Sequence, residues 1–471
     1  MSDGVTNPAI ALHDLAAVDL LEGYRAKTFS PTEVLEDVLA HVAVWEPHLK
    51  ALYAFDPDGA RASAKASMER WQKGEPIGPL DGVPATIKEN IATKGVPVPL
   101  GAATTKLVPA AADAPPAARL REAGAVIFSK TTMPDYGMLS SGLSSFHPLT
   151  RNPWDLTKNP GGSSAGAGAA AAAGYGPLHL GTDIGGSVRL PACWCGLFAL
   201  KPSLGRIPVD PPYVGRVTGP MTRTVADAAL MMSVLSLPDA RDGMSLPPSD
   251  FDWNVRPRSP KGLRIGLMLD AGVGQALENE VREVVVKAAR AFESAGAVVT
   301  EIPGLMTREM LEGLDTFWRA RSWDDLSKLT PEVRAKALPY IYKWAEKAQE
   351  LSGVDVVRGF NATMAIRAAA ARLFADFDYV LSPVSPVVNF AAELASPLND
   401  PEKPFEHIAY TVPWNMAENP AASINGGYDA KGFPIGVQIV GRRFDDIGVL
   451  GMAKAFEAMR GPQRPWPGVP K

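Results

Sequence analysis

From Gly161 to Gly174 no side chain is larger than that of serine. Gly161-Gly162-Ser163-Ser164 opens the run, and only alanine and glycine follow to Gly174. Side chains this small permit close backbone approach, which suits a helix laid directly against a sheet. A flexible linker is the alternative, but it would be expected to carry polar residues, and none follows Ser164 before Tyr175. The run is therefore read as a buried helix.

Around this helix, strand and helix signals alternate from end to end. Ser30-Pro31-Thr32-Glu33 has the form of a capping box, with proline suited to the first helical position. Val34, Leu35, Val38, Leu39 and Val42 follow at helical spacing. A second helix is predicted from Pro57 to Gln72, ending near Gly74. Val83–Ile87 reads as a strand running into Lys88, and Arg119–Phe128 as helix, turn at Gly124, then strand at 125–128. Residues 261–305 read as strand, helix, strand, a βαβ-like unit. Residues 306–370 read as mostly helical with no strand signal, strands return at 379–383 and 435–440, and a last helix covers 446–459. This pattern predicts an α/β protein built on one large mixed β-sheet covered by helices on both faces. The expected organisation is a single domain over 1–471. Its parts are N-terminal helices (1–75), a core (76–237), a Pro-, Asp- and Ser-rich connection (238–260), the strand–helix–strand unit (261–305), a helical region (306–370) and a return to the sheet (371–471).

Composition excludes several classes. The 471 residues carry 47 Lys and Arg against 51 Asp and Glu, a formal net charge of −4. That balance offers no basic footprint for nucleic acid and no polybasic stretch for a membrane surface. No apolar run is long enough to span a bilayer, and Met1-Ser2-Asp3-Gly4 lacks the character of a leader peptide. The expectation is a cytoplasmic protein. The two cysteines, Cys193 and Cys195, are separated by one residue, which suits neither a structural zinc site nor a disulfide framework. They are read as buried thiols on a strand or turn. The six histidines fall into no metal-ligand pattern, so no metal is expected.

Three local features could carry chemistry. Lys88 stands at the end of an apolar strand that would bury its stem; burial favours the neutral amine, the form able to accept a proton. A solvated or salt-bridged lysine is the competing reading. In Gly181-Thr182-Asp183-Ile184-Gly185-Gly186-Ser187-Val188-Arg189, two glycines ahead of a serine let successive amides converge on one point, a nest suited to a developing oxyanion. A glycine-rich turn with Ser187 as a helix cap would use the same residues. Gly162-Ser163-Ser164-Ala165-Gly166 has the GxSxG form of a nucleophile elbow. That reading requires an acid and a histidine after the serine; only His179 and His407 follow, and His179 falls in a strand-like segment close by.

Taken in order, these segments resemble the amidase signature family, the GGSS-motif amidases. The resemblance rests on Pro84-Ala85-Thr86-Ile87-Lys88-Glu89-Asn90, Gly124–Thr131, Arg151-Asn152-Pro153-Trp154-Asp155, Gly161–Ser164, Gly181–Arg189, Cys195–Ser203 and Gly432–Gly441, and spans about residues 10 to 460. It implies the amidase-signature fold and a Ser–cis-Ser–Lys triad. Ser187 would be the nucleophile, Ser163 the bridging serine on a cis peptide, and Lys88 the base acting through Ser163. The amides of Ile184, Gly185, Gly186 and Ser187 would form the oxyanion hole, and Ser164 would be structural. Lys130, Asp183 and Arg189 would be supporting groups. The family's usual GGSSGGS is here interrupted by Ala165, Gly166 and Ala167, and its usual GLKPS reads Ala199-Leu200-Lys201-Pro202-Ser203.

The implied reaction is hydrolysis of a small carboxamide, aryl amide or carbamate, with esters open to the same machinery and water as second substrate. The alternative is the glutaminase (A) subunit of a tRNA-dependent amidotransferase. That role needs an arginine for glutamine's carboxylate, and Arg367 is the nearest candidate. By register, Gly137, Met138 and Leu139 fall where the family's substrate-contacting loop runs. Phe317, Trp318, Trp323, Tyr340, Tyr342 and Trp344 could form an apolar lid or simply pack helices onto the sheet. Neither nucleic acid nor membrane is expected as a partner.

Overall fold

The structure, a computed structural model, describes residues 11–470, so Met1–Gly4, on which the leader reading rests, lies outside the described residues. The strands are β1 (Leu52–Tyr53), β2 (Pro84–Lys88), β3 (Val126–Thr131), β4 (Leu178–Asp183), β5 (Phe198–Lys201), β6 (Val217–Thr222), β7 (Arg264–Leu267), β8 (Val298–Glu301), β9 (Tyr379–Pro383), β10 (Ala421–Tyr428) and β11 (Pro434–Gly441). They form one eleven-stranded sheet in the order β1-β3-β2-β4-β6-β5-β10-β11-β9-β7-β8. β2 runs parallel to β3 and β4, and β7 parallel to β8 and β9. The remaining pairs, including β4 with β6 and β10 with β11, are antiparallel, so the sheet is mixed.

Alternating side chains along the strands feed two helical layers, as the period-two geometry of a strand requires. Ala85 and Ile87 of β2, Phe198 and Leu200 of β5, and Tyr379 and Leu381 of β9 join one apolar cluster with the helices Val225–Leu235, Asn279–Ser294 and Asp446–Met459. Ala199 and Val380, of opposite parity, join clusters on the other face, against the helices Ala165–Ala173 and Gly353–Asp376. The α/β expectation, helices on both faces of one sheet, describes this arrangement.

The alanine-rich run is the helix Ala165–Ala173, with every residue buried. The Ser30 capping box forms as read: Ser30 N donates to Glu33 Oε2 at 2.8 Å and Glu33 N to Ser30 Oγ at 3.3 Å. The 306–370 region is helical, with its longest pieces at Arg308–Ser327 and Gly353–Asp376. The strand expected at 125–128 runs later, Val126–Thr131. Cys193 and Cys195 are buried thiols, but they lie in the short helix Arg189–Cys195 and not on a strand or turn. Gly186 O accepts Leu190 N at 2.7 Å and starts that helix immediately after the glycine-rich loop. Among the described residues no helix is long and apolar enough to cross a membrane.

Candidate active site

The parallel strands β2 and β4 end side by side, and the loops beyond them bring the three sequence features together. Lys88 is the last residue of β2 and is fully buried. Its Nζ is hydrogen-bonded to Ser163 Oγ at 2.7 Å and to Thr182 Oγ1 at 2.9 Å. Burial pushes the Lys88 ammonium down to about 7, against the neighbouring Asp183 and Glu89, which favour its charged form. The amine is thus held in a state that can accept a proton near neutral pH. Thr182, its second partner, also accepts from Asn90 Nδ2 at 3.1 Å.

Ser163 follows a cis peptide bond from Gly162. Ser164 N donates to Ser187 O at 3.1 Å, which ties the two serine-bearing loops together. Ser164, the centre of the GxSxG segment, turns away from the cleft. Its Oγ donates to Thr182 O at 3.2 Å and accepts Thr182 N at 3.3 Å, and the residue is fully buried. No histidine completes an elbow: His179 is buried on β4, hydrogen-bonded to Thr86 Oγ1 and Gly176 O.

The 184–187 loop is shaped by Asp183. Its carboxylate accepts Gly186 N at 2.8 Å, Val188 N at 3.2 Å, Arg189 Nε and Nη2 at 3.0 Å each, and Asn415 Nδ2 at 2.9 Å. Burial alone would raise this carboxyl, but the Arg189 charge and these hydrogen bonds hold it well below the usual carboxylate range. Gly186 has φ +132, a conformation that favours glycine, and a Cβ there would lie 2.6 Å from Thr411 Oγ1. The four amides expected to converge do not all do so. Gly186 N is directed at Asp183, while Ile184, Gly185 and Ser187 have no backbone acceptor among the described residues.

Gly137, Met138 and Leu139 line the same cleft as Ile184, Gly185 and Ser187. A Cβ on Gly137 would stand 3.3 Å from Ser163 Oγ, so the loop abuts that hydroxyl directly. Across the cleft stand Trp318 and a segment that sequence reasoning did not single out, with Ser396, Phe405, His407 and Ile408. Of the six aromatic residues between 306 and 350, Trp318 alone lines this cleft among the described residues. The others pack: Trp344 Nε1 donates to Asp315 Oδ1 at 2.7 Å, Tyr340 OH donates to Asp400 O at 2.9 Å, and Phe317 and Trp323 meet Phe360 and Tyr342 edge to face. Arg367 is outside the cleft, where it pairs with Glu418 and donates to Met416 O at 3.3 Å. None of the residues lining the cleft is Asp, Glu, Lys or Arg. Its free volume is about 30 Å3, room for one or two waters.

Residues 33–450 match the Amidase family. An acylamidase of Rhodococcus erythropolis is 33% identical over 468 residues, covering 97% of this chain and 96% of that protein. The A subunit of a glutamyl-tRNA(Gln) amidotransferase from Chloroflexus aurantiacus is 32% identical over 95% of this chain and 97% of its own length. The crystal structure of a bacterial aryl acylamidase belonging to the amidase signature enzymes superposes with a TM-score of 0.87 at 29% identity, covering 95% of this chain and 96% of that one. With a buried lysine on a cis-peptide serine at the mouth of this sheet, and with these relatives along its whole length, the chain belongs to the amidase signature family of amide-hydrolysing enzymes.

Proposed function

We propose that the chain is a stand-alone hydrolase that cleaves the C–N bond of a small uncharged carboxamide, aryl amide or carbamate, with activated esters as further substrates, through an acyl-enzyme on Ser187. The observation that carries this reading is the fully buried Lys88–Ser163 hydrogen bond beside a cleft lined by no charged side chain. In the first step Ser187 Oγ attacks the carbonyl carbon, its proton passes to Ser163, and the Ser163 proton passes to neutral Lys88. The carbonyl π pair moves onto oxygen, where the free amides of Ile184, Gly185 and Ser187 are the available donors. Such a donor is worth about 3–4 kcal/mol of transition-state stabilisation in other hydrolases. The relay then runs backwards: Ser163 protonates the leaving nitrogen and is reprotonated by Lys88 as the C–N bond breaks. Water, deprotonated along the same relay, attacks the ester on Ser187; the acyl–Oγ bond breaks, the proton returns from Lys88 through Ser163 to Ser187 Oγ, and the acid leaves. No step requires a metal or a cofactor.

The amidotransferase relatives keep a glutaminase reading in view. Glutamine carries two full charges at neutral pH. Its carboxylate would need a cation in the cleft, and Arg367 is held elsewhere by Glu418. Steady-state assays of the purified chain on glutamine and on an anilide separate the two readings. The expected result is turnover of the anilide with negligible glutaminase activity; glutamine as the only good substrate would reverse the assignment.

A further inference from the structure

His407 lies in the wall of the cleft that holds Ser187, yet the proposed reaction makes no use of it. The residue is 3% exposed, and neither ring nitrogen has a hydrogen-bond partner among the described residues; Nε2 is sealed from solvent, so Nδ1 is the nitrogen left to meet a ligand. Burial pushes the imidazole down to about 3, so the ring is neutral at working pH and offers one donor and one acceptor. A buried polar atom left unpaired costs free energy, and native structures keep few of them. Ile184, Trp318, Phe405 and Ile408, which share the cleft wall, have no side-chain acceptor to give. Ser140 and Ser396 are on the same cleft, but neither is hydrogen-bonded to the ring; Ser396 Oγ accepts Asn399 N at 3.0 Å. In a mostly apolar pocket, a few polar groups fix orientation and set specificity.

We infer that His407 is a specificity-determining residue whose ring hydrogen-bonds an uncharged polar group of the substrate, so that the enzyme selects amides bearing a hydroxyl over their hydrocarbon isosteres. This rests on the hydrolase reading above. Apolar walls supply affinity for the body of the substrate, and His407 supplies the discrimination. A site built around a hydrogen bond rejects the analogue that lacks it more strongly than an apolar pocket rejects a methyl group. A charged group fits less well, because the cleft holds no counter-charge to offset its desolvation.

Two matched pairs of anilides test the inference, one on each side of the scissile bond. On the leaving-group side the pair is para-hydroxyacetanilide and para-methylacetanilide; on the acyl side it is the anilides of glycolic and propionic acid. For at least one pair, the wild-type chain should favour the hydroxyl member in kcat/KM by about tenfold or more. His407→Leu should bring that ratio close to one, mainly by loss on the hydroxyl member, and His407→Gln should keep part of the preference. Should the leucine variant fail to fold by circular dichroism, His407→Phe carries the same measurement. Ratios in both pairs that are flat in the wild type, or unchanged in the apolar variant, overturn the inference while turnover of the anilides leaves the hydrolase reading standing. Absence of turnover on all four anilides overturns that reading, and the inference with it.

Discussion

Asp183 and Arg189 meet as a two-pronged ion pair, Nε to Oδ2 and Nη2 to Oδ1 both at 3.0 Å, with neither side chain exposed. The same carboxylate holds the amides of Gly186 and Val188, and the same guanidinium donates to Thr411 O, Gln438 Oε1 and Asn415 Oδ1. One buried pair therefore joins the Ser187 loop to the 411–415 segment and to β11. Asp183→Ala would leave the Arg189 charge buried and uncompensated, a loss of about 3–5 kcal/mol, read from denaturant midpoints. Turnover should fall about a hundredfold or more as the loop amides lose their orientation. Because the folded-state pKa of Asp183 lies below its unfolded value, its stabilisation is fully present above the ordinary carboxylate pKa of about 3.9. That stabilisation is lost as pH falls through and below this value. The midpoint of wild type should therefore drop steeply in acid, with a shallower drop in the variant.

Lys88 should set the pH dependence of the reaction. With its folded pKa lowered to about 7 by burial, the neutral base is populated from near neutrality upward. The activity profile should rise with an apparent pKa near that value, well under the ~10.4 of free lysine. Lys88→Arg should be as damaging as Lys88→Ala, by about 10²–10⁴-fold, because arginine cannot deprotonate at working pH. Substantial activity in the arginine variant would reduce Lys88 to a structural cation and leave Ser163 without a base.

The paired serines offer a separate test. Ser187→Ala should abolish turnover with no change in the thermal midpoint, since the hydroxyl borders the cleft and its loss leaves little cavity. Ser164→Ala removes only the hydrogen bonds to the Thr182 backbone. It should cost about 1 kcal/mol of stability and retain most of the activity. The opposite outcome would restore Ser164 as the nucleophile of an elbow.

Much of this site was legible because its chemistry is local. Gly161–Ser164 and Gly181–Ser187 are contiguous runs of small residues, and Lys88 closes an apolar strand. What depends on distant pairing was not legible. Ala421 of β10 pairs with Lys201 of β5 across 220 residues of sequence, and the cleft draws its lining from 137–140, 184–187, Trp318 and 395–408. The cleft wall at Phe405 and Ile408 has no local signature. Thr182 was visible beside Asp183, but only side-chain geometry identifies it as the second partner of Lys88. Geometry likewise commits Gly186 N to Asp183, which the glycine pair in the sequence does not reveal. The helix Arg189–Cys195 was missed because it is short, has Pro191 inside it and ends in two cysteines flanking a tryptophan, a pattern with no helical period.

Trp318 is expected to set how large a substrate the cleft admits. A Cβ placed on Gly185 would lie 3.2 Å from its ring, and the ring packs edge-on against Phe405 with centroids 5.0 Å apart. The indole thus packs directly against the Ser187 loop and narrows the cleft there. Trp318→Ala removes that obstruction at a cost of about 3–5 kcal/mol in stability, the usual range for truncating a buried aromatic residue. Its kcat/KM for a naphthyl amide relative to acetanilide should rise about tenfold over the wild-type ratio. The small substrate should lose rate, because it is no longer held against the loop. Folding must be verified at the assay temperature, for which Trp318→Phe, a milder truncation with the same expected direction, is the companion variant. A ratio unmoved in both variants would show that substrate size is limited elsewhere, and Trp318 would then be only a packing residue between the helix Arg308–Ser327 and the 405–408 segment.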